Sequence, residues 1–331
     1  MKKLFIILMI PFFILILNLR NMSYAGEIDK EIAISMATDN NYVLPTIVSM
    51  TSMLENIKQG TKYNYYILIS GDFSEENKAK FSKLKEKYKD KLDINFIDMK
   101  DKYSTNRQIE QRITTPMYYR LHLPSILSKE SKCIYIDCDT IVLKDLNLLY
   151  NVKIGDNYVA GVKAASPQLT GGMKLAYKLG IKSIDQYINS GVLLMNLDGM
   201  RKDGIESKFN KFMEDHNGCM DLGGPDQDTI NAVCFNRILH LPLKYNFMTK
   251  YQKNNRNDYH KFKSIKNCYT KHEWLEARND PIIIHYADSR KPWKDTDSKF
   301  LNEWWNYAKL SPLFKEIKDK YQSTFQYINK L

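Results

Sequence analysis

Several features are scarce or missing in this chain, and each absence removes a class of protein. The five cysteines, Cys133, Cys138, Cys219, Cys234 and Cys268, form no Cys-x-x-Cys pair and have no metal-like spacing with histidine. Neither a zinc site nor a disulfide framework is therefore indicated. No glycine-rich phosphate loop follows the first predicted strand, which argues against a nucleotidyltransferase. No helix carries a basic stripe with interleaved aromatics, so nucleic acid is not an expected partner, although the formal net charge is +11. That charge comes from lysines scattered along the chain, a distribution suited to a phosphate-bearing ligand or an anionic membrane surface. There is no internal repeat and no linker that clearly separates two domains. The apolar run Leu4–Leu19 is only 16 residues long, against about 20 for a membrane span, and is broken by Pro11 and Asn18. Lys2 and Lys3 precede it, and Ser23-Tyr24-Ala25 puts small residues at −3 and −1 before Gly26. This is the three-part pattern of a secretory signal, with an uncleaved anchor as the alternative reading of residues 1–25.

What remains is ample for a folded core: 331 residues, 44% of them hydrophobic, with 22 Tyr, 14 Phe and 4 Trp. Ile32–Ala37 reads as a strand. Val43–Ile57 follows with apolar residues at 43, 47, 50, 54 and 57, which share one helix face. Tyr65–Ser70 reads as a second strand. Ser74 can cap a helix with Glu75 and Glu76 in its first turn and Phe81, Leu84 and Tyr88 on its buried side. Asp93–Asp98 is a third strand. This alternation predicts an α/β fold with parallel strands and right-handed crossovers, whose ligands sit at the carboxyl ends of the strands. Met117–Leu127 is expected to be helical and Cys133–Ile136 a short buried strand. Further strands are expected at 157–163, 191–197 and Ile282–Tyr286, and a helix over Asp226–Phe235. Residues 245–280 read as polar and irregular, and the aromatic, Lys-rich tail from Phe300 as helical.

The chemistry centres on Asp137-Cys138-Asp139 at the end of the strand beginning at Cys133. In an extended chain, residues i and i+2 point the same way, roughly 6.5 Å apart. Two such carboxylates can share a divalent cation, and hard oxygen ligands suit Mg or Mn. Two other Asp-x-Asp sequences, Asp226-Gln227-Asp228 and Asp295-Thr296-Asp297, show that the motif alone is weak; the second of them reads as a solvated turn. Burial of the first pair at a strand end is costly unless a cation or hydrogen-bond donors satisfy it. His285 ends the apolar run Pro281–Ile284 and is a candidate third ligand, which would tilt the choice towards Mn. Lys291 lies six residues on and can reach a phosphate as a point charge.

Over residues 31–293 the chain resembles the family 8 retaining glycosyltransferases, the bacterial lipopolysaccharide galactosyl- and glucosyltransferase group. Four motifs occur in family order: Ala37-Thr38-Asp39-Asn40-Asn41-Tyr42; Arg120 in Thr-Pro-Met-Tyr-Tyr-Arg; Asp137-Cys138-Asp139; and a composite of Asn189-Ser190-Gly191, Pro225-Asp226-Gln227-Asp228 and His285 with Lys291-Pro292-Trp293. The resemblance implies a GT-A fold, a mixed and mainly parallel sheet flanked by helices, over residues 26–295, with 296–331 as a helical extension. It implies that Asp39 meets the uracil of a UDP-sugar and Tyr42 stacks on it, with Ala37 and Asn41 in the same loop. Arg120 then contacts the donor, and Asn189 and Ser190 contact the sugar. Asp137, Asp139 and His285 hold Mn2+ (or Mg2+), Lys291 clamps the diphosphate, and Asp226 and Gln227 flank the reacting carbon. Asp288 stands where the family usually has Gly, and an acid there would repel a diphosphate unless paired or turned away.

The implied reaction is transfer of a glucose or galactose with retention, to a glycan or lipid-linked saccharide. An amide such as Gln227 is a poor nucleophile, so attack from the donor's own face is favoured. The alternatives are a non-catalytic carbohydrate-binding protein, or a glycoside hydrolase with two carboxylates at roughly 5–9 Å and no need of metal. Donor nucleotide sugars are normally cytosolic in bacteria. Residues 1–25 accord with that either as an uncleaved anchor with the catalytic domain on the cytoplasmic face, or as an export signal into a eukaryotic secretory lumen supplied with donor.

Overall fold

The computed structural model of the chain describes residues 31–100, 115–165, 172–216, 224–251 and 268–330. The segment 1–25 and Cys219 lie outside these residues. Among the described residues, no helix is long and apolar enough to cross a membrane.

Among the described residues, ten strands build two sheets. They are β1 (Glu31–Ala37), β2 (Lys62–Ile69), β3 (Leu92–Asp98), β4 (Lys132–Ile136), β5 (Thr140–Val142), β6 (Val159–Lys163), β7 (Ile188–Asn196), β8 (Ile238–His240), β9 (Phe247–Met248) and β10 (Ile283–His285). The larger sheet has the order β3-β2-β1-β4-β7-β6-β8, and the smaller β5-β10-β9. Strands β1 to β4 are mutually parallel, as the sequence predicts. Strand β7 runs against both of its neighbours, β4 and β6. The central strands β1, β4, β7 and β6 are buried on both faces and are nearly continuous apolar runs, whereas the outer β2, β3 and β8 are only partly buried. The period of two still sorts their side chains. Ile134 and Ile136 of β4 enter one core and Cys133 and Tyr135 the other; Val192 and Leu194 of β7 part from Leu193 and Met195 in the same way.

Helix α1 (Val43–Glu55) covers one face, with Val43, Ile47, Met50 and Leu54 buried as their spacing requires. Helix α2 (Glu75–Tyr88) begins where Ser74 Oγ accepts from Asn77 N (3.2 Å), and it buries Phe81, Leu84 and Tyr88. Helices α3 (Ile205–Asp215) and α4 (Pro225–Val233) close the other face.

Three expectations shift. The helix expected over Met117–Leu127 is a 3-10 helix, Thr115–His122, followed by a single α turn, Leu123–Ile126. Pro124 has no N–H to bond back to residue 120, so one continuous helix cannot form. Strand β7 begins at Ile188, which puts Asn189-Ser190-Gly191 inside the strand. Within the stretch read as irregular, helix α5 (Lys271–Asn279) forms behind a complete capping box, Thr270 Oγ1 accepting from Glu273 N and the Glu273 carboxylate from Thr270 N. Thr270-x-x-Glu273 was the sequence signal for it.

The tail forms α6 (Leu301–Leu310), α7 (Phe314–Lys320) and α8 (Gln322–Ile328). It packs as an aromatic cluster: Trp304 stands 5.4 Å from Trp293, 5.0 Å from Trp305 and 6.2 Å from Tyr321 between ring centroids. Trp304 is 1% exposed. Replacing Trp304 with Ala is expected to destabilise the protein by about 3–5 kcal/mol, read as a fall in the urea midpoint at unchanged slope.

Candidate active site

The reversal of β7 assembles the site. Its first residues, Asn189–Gly191, lie at the carboxyl ends of β1 and β4, where they meet the acidic turn between β4 and β5. Asp137 N donates to Gly191 O at 2.8 Å. In the small sheet β10 lies antiparallel to β5, with His285 opposite Thr140. Tyr286 N donates to Asp139 O at 2.9 Å, which extends that pairing by one step. Three segments distant in sequence thus bring Asp137, Asp139 and His285 together, with one ligand atom from each within 4.8 Å of the others. Gly191 permits this approach. A Cβ on it would lie 2.3 Å from His285 Cε1 and 2.5 Å from Asp137 Oδ2.

Cations compensate the buried acids. Arg120, 4% exposed, lies with its guanidinium 4.1 Å from the centroid of the Tyr135 ring. It donates from Nη2 to Asp137 Oδ1 (2.9 Å) and from Nη1 to Ser190 O (2.6 Å), and its Nε lies 3.2 Å from Asp226 Oδ2. Burial alone would lower its pKa, but Asp137, Tyr135 and Asp226 outweigh that and keep it charged. Lys291 Nζ donates to Asp139 Oδ2 and to Tyr286 O, both at 2.6 Å. His285 Nε2 stands 3.2 Å from Asp139 Oδ1 and 3.7 Å from Asp137 Oδ2. The two carboxylates diverge. Burial raises the Asp137 pKa, and Arg120 only partly offsets it while Asp139 adds to it. For Asp139, Lys291 and His285 overcome the burial term and hold the carboxyl below its ordinary value.

Asp137, Asp139 and Arg120 border a cavity of about 360 Å³, whose walls include Asp39, Tyr42, Ser190, Asp226 and Gln227 together with Ala37; His285 and Lys291 stand behind the two carboxylates and are not part of its lining. Asp39, Asp137, Asp139 and Asp226 outnumber the permanent cations Arg120 and Lys291. A cavity with an excess of acid in a basic protein suits a metal cation, and the donor set, two carboxylates and an imidazole, fits Mn2+ or Mg2+. Asp39 Oδ1 accepts from Asn41 N (2.8 Å) and Tyr42 N (2.9 Å), which leaves its other oxygen for a ligand. Tyr42 meets Trp293 edge to face at 5.9 Å.

Not every expected residue faces this cavity. Asn41 is exposed and does not line it. Asn189 lies beneath the cavity floor: its Nδ2 donates to Gln227 Oε1 (2.8 Å) and its Oδ1 accepts from Gly191 N (3.1 Å) and Asn246 Nδ2 (2.8 Å). Asp228 accepts from Tyr187 Oη and from Gly224 N, closing the first turn of α4. Asp295 accepts from Asp297 N in a surface turn, as its polar setting suggested. Asp288 is paired: the Ser289 N–H (2.6 Å) and hydroxyl, with Arg290 at 3.4 Å, overcome burial and hold its carboxyl below the usual range. The repulsion feared for a diphosphate is thereby reduced. Sequence reasoning missed Asn246, whose Oδ1 lies 2.9 Å from His285 Nδ1, and Tyr135, whose hydroxyl donates to Asp137 Oδ1 at 3.1 Å. Tyr135 belongs to an apolar strand run and Asn246 to a polar stretch, and neither carries a motif.

Comparisons with known proteins agree with this geometry. The model of a family described as glycosyl transferase family 8 matches residues 33–297. The chain is 26% identical over 282 residues to general stress protein A of Bacillus subtilis, covering 84% of this chain and 93% of that protein. It is 27% identical over 283 residues to a lipopolysaccharide 1,2-glucosyltransferase of Escherichia coli, covering 83% and 74%. Among solved structures, the galactosyltransferase LgtC in complex with donor and acceptor sugar analogs superposes with a TM-score of 0.67 at 22% identity, covering 85% of this chain and 96% of that one. The bifunctional glycosyltransferase WbbM gives 0.75 at 22% identity, covering 88% of this chain and 52% of that one, so the chain spans about half of WbbM. These two neighbours are GT-A folds, and so is this chain.

The space at Gly191 yields a direct expectation. Gly191→Ala forces His285 and Asp137 apart, and titration calorimetry should show the affinity for Mn2+ falling at least about tenfold while circular dichroism reports a retained fold. Unchanged affinity would mean that these side chains do not bind the ion together.

Proposed function

We propose, from the premise that the chain belongs to glycosyl transferase family 8, that it moves a glucose or galactose from a UDP-sugar to a glycan or lipid-linked saccharide, with a divalent cation and with retention at the anomeric carbon. The observation that carries this reading is the convergence of Asp137, Asp139 and His285 within 4.8 Å, beside a cavity whose other wall holds Asp39 and Tyr42. An open carboxylate oxygen on Asp39 suits a uracil N–H, and the Tyr42 ring suits the face of a base. Between these ends lies room for a diphosphate. Mn2+, or Mg2+, bound by the three side chains would neutralise charge on the departing diphosphate.

The chain's own groups do the rest. Lys291 has a third ammonium N–H beyond those given to Asp139 and Tyr286 O, and Arg120 keeps one N–H on each terminal nitrogen. Both can bear on phosphate oxygens. Asp226, with Oδ2 held by Ser190 Oγ at 2.8 Å, has an oxygen left for sugar hydroxyls. Gln227 Oε1 accepts from both Asn189 Nδ2 and Ser190 N, so neither lone pair is free to attack C1. The acceptor oxygen therefore forms its bond to C1 on the face from which the C1–O bond to the diphosphate breaks. The acceptor's proton passes to a departing phosphate oxygen.

The lipopolysaccharide-type acceptor follows the named relatives, and membrane attachment through residues 1–25 rests on the sequence pattern alone. Transfer assays across a panel of nucleotide sugars, with Mn2+, Mg2+ or EDTA, test the reading. Activity is expected with a UDP-hexose, lost in EDTA and restored by Mn2+. Activity indifferent to EDTA would favour the hydrolase alternative. Asp139→Asn should lower kcat at least about a hundredfold, the size of loss seen when a transition-state stabilising group is removed. Gln227→Ala should leave substantial activity, and a sugar adduct trapped on the protein would refute same-face attack.

A further inference from the structure

The orientation of three buried side chains, Asn189, Asn246 and His285, and of the half-buried Gln227 follows from two backbone N–H groups. Gly191 N can only donate, so the Asn189 atom 3.1 Å from it is Oδ1. Asn246, fully buried, meets that oxygen at 2.8 Å and must present its Nδ2 there. Its Oδ1 then faces His285 Nδ1 at 2.9 Å. An amide oxygen only accepts, so Nδ1 carries the hydrogen. Nε2 is left facing the two carboxylates, 3.2 Å from Asp139 Oδ1 and 3.7 Å from Asp137 Oδ2. In the other direction, Asn189 Nδ2 faces Gln227 Oε1, which also accepts from Ser190 N at 3.2 Å. Gln227 Nε2 donates to Tyr187 Oη at 3.0 Å, and that hydroxyl donates to Asp228 Oδ1 at 2.5 Å. No member of this chain of amides can turn over without setting two acceptors or two donors against each other.

We infer that Asn246 and Asn189 are positioning residues in one amide relay, which holds His285 with Nε2 open to a cation and, at its other end, holds the Gln227 amide beside the sugar. The relay is anchored on the main chain of β7, the strand that also approaches Asp137. It therefore ties the metal end of the site to the end where bonds change. Asn246 acts on the metal end and Asn189 joins the two. The link to turnover rests on the glycosyl-transfer reading above, whereas the state of His285 does not.

Two substitutions separate the ends. In Asn246→Ala, Nδ1 loses its acceptor, and the ring is no longer held with Nε2 towards the cation site. The affinity for Mn2+ should fall about tenfold to a hundredfold, as for loss of other ligand-orienting partners. In Asn189→Asp, one carboxylate oxygen still accepts from Gly191 N and Asn246 Nδ2, so His285 and Mn2+ binding are kept. The other oxygen turns the Gln227 amide, and kcat should fall about threefold, no more than in Gln227→Ala, with little change in donor KM. The protonated nitrogen is read from 15N-resolved imidazole spectra of the metal-free protein, with the His285 signal identified by its loss in His285→Gln. The wild-type protein is expected to show a hydrogen on Nδ1, a measurement that needs no variant to fold. The inference is overturned by a bare Nδ1 in the wild type, by Asn246→Ala retaining both Nδ1–H and Mn2+ affinity, or by Asn189→Asp losing Mn2+ affinity as Asn246→Ala does. If no nucleotide sugar is turned over, the function proposal fails, while the spectra and the Mn2+ titrations still decide the relay.

Discussion

Two carboxylates, Asp137 and Asp139, are driven into the end of a buried sheet, and their compensation organises everything around them. An uncompensated buried charge is untenable, and removing one partner of such a cluster typically costs about 3–5 kcal/mol. The structure answers with Arg120 from the 3-10 helix, Lys291 from the loop after β10, and the imidazole of His285. Each comes from a different part of the chain, so the cluster is also a tie between those parts. The acids still remain in excess, which makes the place receptive to a cation. This receptive site lies beside the cavity lined by Asp39 and Tyr42, and the proposed transfer rests on that juxtaposition.

Strand direction gives this cluster its shape. Were β7 parallel to β4, Asn189, Ser190 and Gly191 would lie at the far end of the sheet from Asp137. Its reversal puts them at the carboxyl ends of β1 and β4, with a glycine at the point of closest approach. The small sheet does the same for His285, because pairing of β10 with β5 sets it beside the turn that carries Asp139. Backbone pairing, which is specified by apolar patterning in the strands, thus fixes the polar geometry between them.

The aromatic tail belongs to this construction too. Trp305 Nε1 donates to Pro292 O (3.1 Å), and Thr324 Oγ1 to Trp293 O (3.3 Å). Tyr286 Oη donates to Phe300 O (2.7 Å). The loop carrying Lys291 is therefore clasped by helices α6 and α8, and Trp293 passes that support to Tyr42. Helices remote from the cavity stiffen both of its ends.

Much of this was legible in the sequence because the signals are local. Strands β1, β2 and β3, the cap at Ser74, the buried face Phe81, Leu84 and Tyr88, and the acidic pair at a strand end all follow from periodicity, capping and burial within a few residues. Family resemblance added Asp39, Tyr42, Arg120, Ser190, Asp226 and Gln227 as expectations, and Tyr135, which also lines the cavity, was not among them. Tertiary structure alone decided which polar groups face the cavity and which hold others in place. Asn246 is an ordinary amide in sequence, and Asn189 was expected at the sugar; the hydrogen bonds that both make depend on pairing between strands far apart in the chain, and on two backbone N–H groups whose directions exist only once the sheet has formed. Asp288 looked unfavourable on its own, and its pairing with Ser289 and Arg290 is set by the turn they share. Hydrophobic pattern is written residue by residue, whereas the direction of a hydrogen bond between distant strands is a property of the folded chain.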